Sequence, residues 1–183
     1  MAAAPAQPVF YYDIGHPDCY LVAERIMAEL PVVPEWEPVL GREFDHGPLD
    51  RDHIERLAKA LNLQPIRWPT GWPGDSERAM LAATYAKRIG RAVAFSLAAF
   101  RQTFAGGRDL TDENTILIAG AACEMHPTAL RKGIELASTR TALQTATRRA
   151  RDCGATTLPA IQVADTVYSG LEAIHNATMS FER

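Results

Sequence analysis

The sequence predicts an α/β fold in which a large all-helical segment interrupts a small sheet. Three observations carry this. A strand–helix–strand pattern fills residues 1–50, helical periodicity runs from Arg51 to about Asp152, and a strand–strand–helix pattern closes the chain. The expected division is a sheet-bearing unit, residues 1–50 and 153–183, and a helical insertion, residues 51–152, which includes the helix that returns to the sheet. A length of 183 residues suits one domain with such an insertion, and a hydrophobic share of 47% is enough to give it a core.

Val9, Phe10, Tyr11 and Tyr12 are β-branched or aromatic and read as the first strand. Asp13-Ile14-Gly15 breaks the pattern. Pro17 fits the first position of a helix, where no N–H is needed and φ is already set, so a helix is expected from Pro17 to about Leu30. Val32, Val33, Trp36, Val39 and Leu40 suggest a second strand, and Gly47-Pro48 marks the connection that follows.

Within the insertion, Ile54, Leu57, Ala58 and Leu61 recur at helical spacing. Pro65, Pro69 and Pro73 then stiffen a loop that carries Trp68 and Trp72. Asp75 or Ser76 is expected to cap a helix running to about Arg88, with Gly90 as its breaker. Another helix holds Val93, Phe95, Leu97, Phe100 and Phe104 and stops at Gly106-Gly107. Thr111-Asp112-Glu113-Asn114 and His126-Pro127-Thr128 open two more, and a long helix is expected from about Ile134 to Asp152. Ala155 to Val163 reads as loop then strand, Ala164-Asp165-Thr166 as a tight turn, and Val167-Tyr168-Ser169 as a strand. Gly170 leads into a last helix through Leu171 and Ile174. The last two strands form a hairpin, so the sheet should be mixed.

Composition argues against several classes. A net charge of −3 argues against nucleic-acid binding. Cys19, Cys123 and Cys153 are an odd set without a CxxC, which fits neither a secreted disulfide framework nor a zinc ribbon. His46, His53, His126 and His175 show no metal spacing, and each is expected to be solvated or capping. No apolar run is long enough to span a membrane. The start, MAAAPAQP, lacks the basic region and apolar run of a signal peptide, so a cytoplasmic location is expected.

The stretch from Val9 to Leu21 organises the chain. A buried strand turns and presents His16 at a helix N-terminus, whose free N–H groups and partial positive charge stabilise anions such as thiolates. This layout resembles the thioredoxin-fold family of DsbA-type disulfide oxidoreductases, whose motif is Cys-Pro-x-Cys. It is closer to a branch that lacks the first cysteine, the 2-hydroxychromene-2-carboxylate isomerases and kappa-class glutathione transferases. These carry a strand, an Asp and then Ser-Pro-x-x-Tyr-Leu. Here the frame reads Asp13-Ile14-Gly15-His16-Pro17-Asp18-Cys19-Tyr20-Leu21, with His16 in the serine's place and Cys19 in that of the second cysteine. Thr157-Leu158-Pro159 resembles the family's cis-proline loop, and the run from Gly107 to Glu113, GRDLTDE, resembles a segment of its helical insertion.

The resemblance implies a thioredoxin fold with the helical insertion between its second and third strands. It implies an enzyme that binds glutathione or another low-molecular-weight thiol and acts on an electrophilic organic substrate by isomerisation or conjugation. His16 would contact the thiol sulfur, with Pro17 beside it. A neutral imidazole can donate to a thiolate or accept its proton, whereas Asp18 would favour the charged form. Pro159 is expected to be cis, with Leu158 as the backbone contact and a weaker contribution from Ser169. Trp68 and Trp72 are candidates for an apolar wall or for packing. Cys19 is a candidate nucleophile or a buried structural residue; Cys123 and Cys153 read as packing. With no cysteine at position 16, the ordinary CxxC exchange is ruled out. Two alternatives stand beside this reading. One is a DsbA-like oxidoreductase working through Cys19 alone by mixed disulfides, and the other a non-catalytic module that binds a peptide or partner. The resemblance also leaves room for a homodimer.

Overall fold

The computed structural model describes residues 7–181; residues 1–6, which form most of the stretch read for an export signal, lie outside them. Strand β1 (Val9–Tyr12) is followed by α1 (Pro17–Glu29), β2 (Glu35–Pro38) and a short 3-10 turn at Gly41–Glu43. Six α-helices come next: α2 (Arg51–Ala60), α3 (Glu77–Arg88), α4 (Ala92–Phe100), α5 (Glu113–Ala122), α6 (Pro127–Glu135) and α7 (Ala137–Asp152). A π turn over Arg101–Ala105 prolongs α4. β3 (Ala160–Val163), β4 (Thr166–Ser169) and α8 (Ala173–Ser180) complete the chain.

The sheet order is β2-β1-β3-β4. β1 runs parallel to β2, with Val9 opposite Glu35, and antiparallel to β3, with Val9 opposite Gln162. The β3–β4 hairpin makes the sheet mixed, as the short connection requires. This is a thioredoxin fold with its helical insertion between the second and third strands. β1 is central because Phe10, Tyr11 and Tyr12 are all buried. Phe10, Tyr12 and Trp36 pack as an aromatic group, with Phe10 and Trp36 edge to face at 5.0 Å. The hydroxyls of Tyr12 and Ser96 lie 2.6 Å apart, which ties the strand to α4.

α1 starts at Pro17 and buries Leu21, Val22 and Ile26 completely. Each such side chain contributes about 1.5–3 kcal/mol of burial. This packing holds the first turn of α1, and therefore His16, in place at the end of β1.

Four boundaries differ from the sequence expectation. β2 covers only Glu35–Pro38, and Val33 is exposed, because the prolines at 31 and 34 hold the preceding residues off the ladder. The long helix expected from Ile134 is broken at Leu136, whose ψ of 129° is extended, so α6 and α7 are separate. Thr166 belongs to β4, opposite Val163, which leaves Ala164-Asp165 as a two-residue turn with Ala164 at φ +51°. The last helix begins at Ala173, after Leu171.

Candidate functional site

The end of β1 is held by one carboxylate. Asp13 is buried, and its oxygens accept from Gly15 N–H (2.7 Å), Gly41 N–H (2.7 Å) and the Ser76 hydroxyl (2.9 Å). Three segments distant in sequence meet there: the turn before α1, the 3-10 turn after β2 and the entry to α3. Burial holds the Asp13 carboxyl above its ordinary range, and the three hydrogen bonds offset this only in part. Glycine at position 41 permits this approach, since a Cβ there would lie 2.8 Å from Asp13 Oδ2 and force a shift.

These segments enclose a cavity of about 410 Å³. His16, Pro17 and Gly15 form one side; Leu40, Gly41, Arg42, His46 and Leu49 form the second; Pro73, Gly74, Asp75 and Ser76 form the third. Its walls combine apolar and polar groups, as expected of a small-molecule site. No cysteine is among the lining residues.

His16 is the N-cap of α1, and its side chain makes no capping bond. The residue is only 8% exposed, and its Nδ1 is buried without a partner among the described residues. Burial, and secondarily the nearby His46, lower its pKa from 6.5 to about 4, so the imidazole is neutral at physiological pH. The expected neutrality therefore rests on desolvation first. Asp18 contributes nothing to that shift, and burial raises the pKa of its own carboxyl.

His46, for which the sequence suggests a solvated or capping role, faces His16 at the cavity edge. The two rings stack, with centroids 5.5 Å apart and planes at 26°. The segment carrying His46 is fixed from behind, because Asp45 N–H donates to Thr156 C=O at 2.9 Å and Asp45 bridges Thr157. His46 is thereby tied to the loop of Leu158 and Pro159.

The other expected site residues divide. The Leu158–Pro159 peptide bond is cis, and both residues are buried. They do not line the cavity. Ser169 is half-buried on β4 opposite Ala160, and Gly170 N–H donates to Pro159 C=O at 2.7 Å. Ser169 therefore lies beside the proline loop, outside the cavity lining. Trp68 and Trp72 pack on one another at 4.6 Å under the Arg51 guanidinium, which sits 5.2 Å from each ring. Neither lines the cavity, and the link to it is the Trp72 indole N–H, which donates to Gly15 C=O at 3.1 Å. They act here as packing.

Cys19 lies one turn into α1 and is fully buried. Burial raises its thiol pKa well above the ordinary value, and the neighbouring Asp13 and Asp18 charges add to this. The helix end does not make it a thiolate. Cys123 is buried and Cys153 half-buried; all three cysteines are free. His126 caps α6, its Nδ1 accepting from Thr128 N–H at 3.2 Å. Asp13, Gly41, Arg42, Ser76 and His46 were not singled out from the sequence as site residues. For Asp13 a signal exists, a carboxylate directly after four strand residues; the others depend on contacts across 28 or more residues.

The fold finds clear relatives. The chain aligns with a solved 2-hydroxychromene-2-carboxylate isomerase at a TM-score of 0.83, with 16% identity, over 96% of this chain and 94% of that one. It aligns with a probable DsbA oxidoreductase from Streptomyces coelicolor at 0.77, with 18% identity, over 95% and 87%. The cytosolic disulfide reductase DsbM from Pseudomonas aeruginosa, solved with GSH, gives 0.69 with 16% identity over 96% and 97%. No curated protein matches the chain. Residues 9–179 match the DSBA-like thioredoxin domain family, and the chain belongs to that family.

Proposed function

We propose that this protein is an enzyme that uses glutathione or another low-molecular-weight thiol to isomerise or conjugate an electrophilic organic substrate. The observation that carries the reading is His16: a desolvated, neutral imidazole at the start of α1, on the wall of a cavity of about 410 Å³ that no cysteine lines. A neutral imidazole can donate to a thiolate, and the helix N-terminus adds a partial positive charge. The cavity residues around His16, among them Gly41, His46 and Ser76, would carry the rest of the thiol, and the Asp45–Thr157 bridge joins the His46 segment to the Leu158–Pro159 loop. One structural neighbour is a reductase solved with GSH, which makes glutathione the first thiol to try. Three free cysteines fit a reducing compartment, the cytoplasm.

The single-cysteine oxidoreductase reading draws no support from Cys19, which is buried with its pKa raised. The test is calorimetric titration of the protein with glutathione. Saturable binding by the wild type and its loss in His16→Ala are expected. No heat of binding with the wild type would sink the reading.

A further inference from the structure

Resting on that reading, we propose that His46 is the proton acceptor of the site, taking the proton of the bound thiol while His16 holds the sulfur. The rings of His16 and His46 are stacked at 5.5 Å, too close for another atom to enter between them. A sulfur that reaches the edge of one imidazole from the cavity is therefore beside the other. The two rings differ in one respect that matters for a proton. His46 is exposed and can exchange with water, while His16 is enclosed.

Placing the charge on His16 is opposed by its burial and by His46 itself. The titratable and charged groups that line the cavity with His46 are His16, which stacks on it, and Asp13, Arg42 and Asp75, with Asp45 beside it in the chain. Of these, Asp13 is already satisfied by three donors, and Arg42 donates to Glu77 at 2.7 Å. His46 is the basic nitrogen left open to the cavity. Its segment is held by the Asp45–Thr156 hydrogen bond and the Asp45–Thr157 bridge, next to the proline loop.

The step is balanced without an oxidant. The thiol S–H bond breaks; its proton goes to the lone-pair nitrogen of His46 and its electron pair stays on sulfur, where a hydrogen bond from His16 stabilises it. The thiolate then forms a C–S bond to the electrophilic carbon of the substrate, whose displaced π electrons move to an adjacent electron-withdrawing group. His46 returns the proton there. Elimination runs the same transfers backwards and releases the thiol.

The experiment titrates the wild type, His46→Gln and the exposed control His175→Gln with glutathione at neutral pH. Binding is read by calorimetry in two buffers of different ionisation enthalpy, and thiolate by its ultraviolet absorbance. In the wild type, binding should produce the thiolate band with no proton released to the buffer. His46→Gln should still bind glutathione and should lose the band. His175→Gln should match the wild type. A band of unchanged size in His46→Gln that still binds overturns the proposal and leaves the thiol reading intact. Loss of the band in His175→Gln as well would also overturn it. Failure of the wild type to bind glutathione overturns both.

Discussion

The imidazole of His16 lies against that of His46, ring centroids 5.5 Å apart, and burial keeps the first neutral. A neutral buried histidine makes stability depend on pH. Its folded pKa of about 4 lies below the unfolded 6.5, so between these values the unfolded chain binds the extra proton. Stability is whole above pH 6.5 and falls as pH drops towards 4. The loss from this group is about 3 kcal/mol. Urea unfolding from pH 7 to 4 should show the wild type losing more stability than His16→Gln by about that amount; parallel curves would refute the assignment.

Asp13→Ala should destabilise the protein by about 3 kcal/mol, because the buried Gly41 N–H and the part-buried Gly15 N–H and Ser76 hydroxyl would each lose an acceptor. Gly41→Ala should cost about 1–3 kcal/mol through its contact with the same carboxylate. Thermal and urea midpoints check both, and an unchanged midpoint for either would show that the junction is not under the constraint described.

The cysteines should react in order of access. Cys153, half-buried at the end of α7, is expected to label first, and Cys19 only when the chain unfolds. Peptide mass spectrometry after timed alkylation reads this directly. Rapid labelling of Cys19 in the native protein would restore it as a candidate nucleophile.

Gly133 on α6 faces the ring of Tyr85 on α3, and a Cβ there would fall 2.3 Å from the ring. Gly133→Ala should therefore destabilise by about 1–3 kcal/mol even though alanine favours helix. The double variant Gly133→Ala, Tyr85→Leu should recover part of the loss. Equal destabilisation in both backgrounds would place the cost elsewhere.

The fold was largely legible in the sequence because its signals are local. The run of β-branched and aromatic residues from Val9 to Tyr12 announces a central strand, and Pro17 announces the start of α1. His126-Pro127 does the same for α6. The break at Leu136 was not legible, since no glycine or proline stands there; it follows from how α6 and α7 each pack on α3. The site was legible only in part for the same reason. His16 could be read from its place after β1. His46 could not, because what makes it part of the site is the pairing of Asp45 with Thr156 and Thr157, more than a hundred residues away. Trp68 and Trp72 suggested a wall by composition, but Arg51 and their mutual packing claim them.

The junction at Asp13 also bears on how such a cavity can change over generations. Its three walls share one anchor, so none can be moved outwards alone. A chain drifting towards a bulkier substrate would lose an anchor bond with its first step at Gly41 or Ser76. It would regain stability only after a second, matching step. New specificities in this scaffold should therefore arise as linked sets of substitutions spanning residues 13, 41 and 76, far apart in the chain and adjacent in space. Variation at the exposed rim, at Arg42 and Leu49, should be free of that restriction.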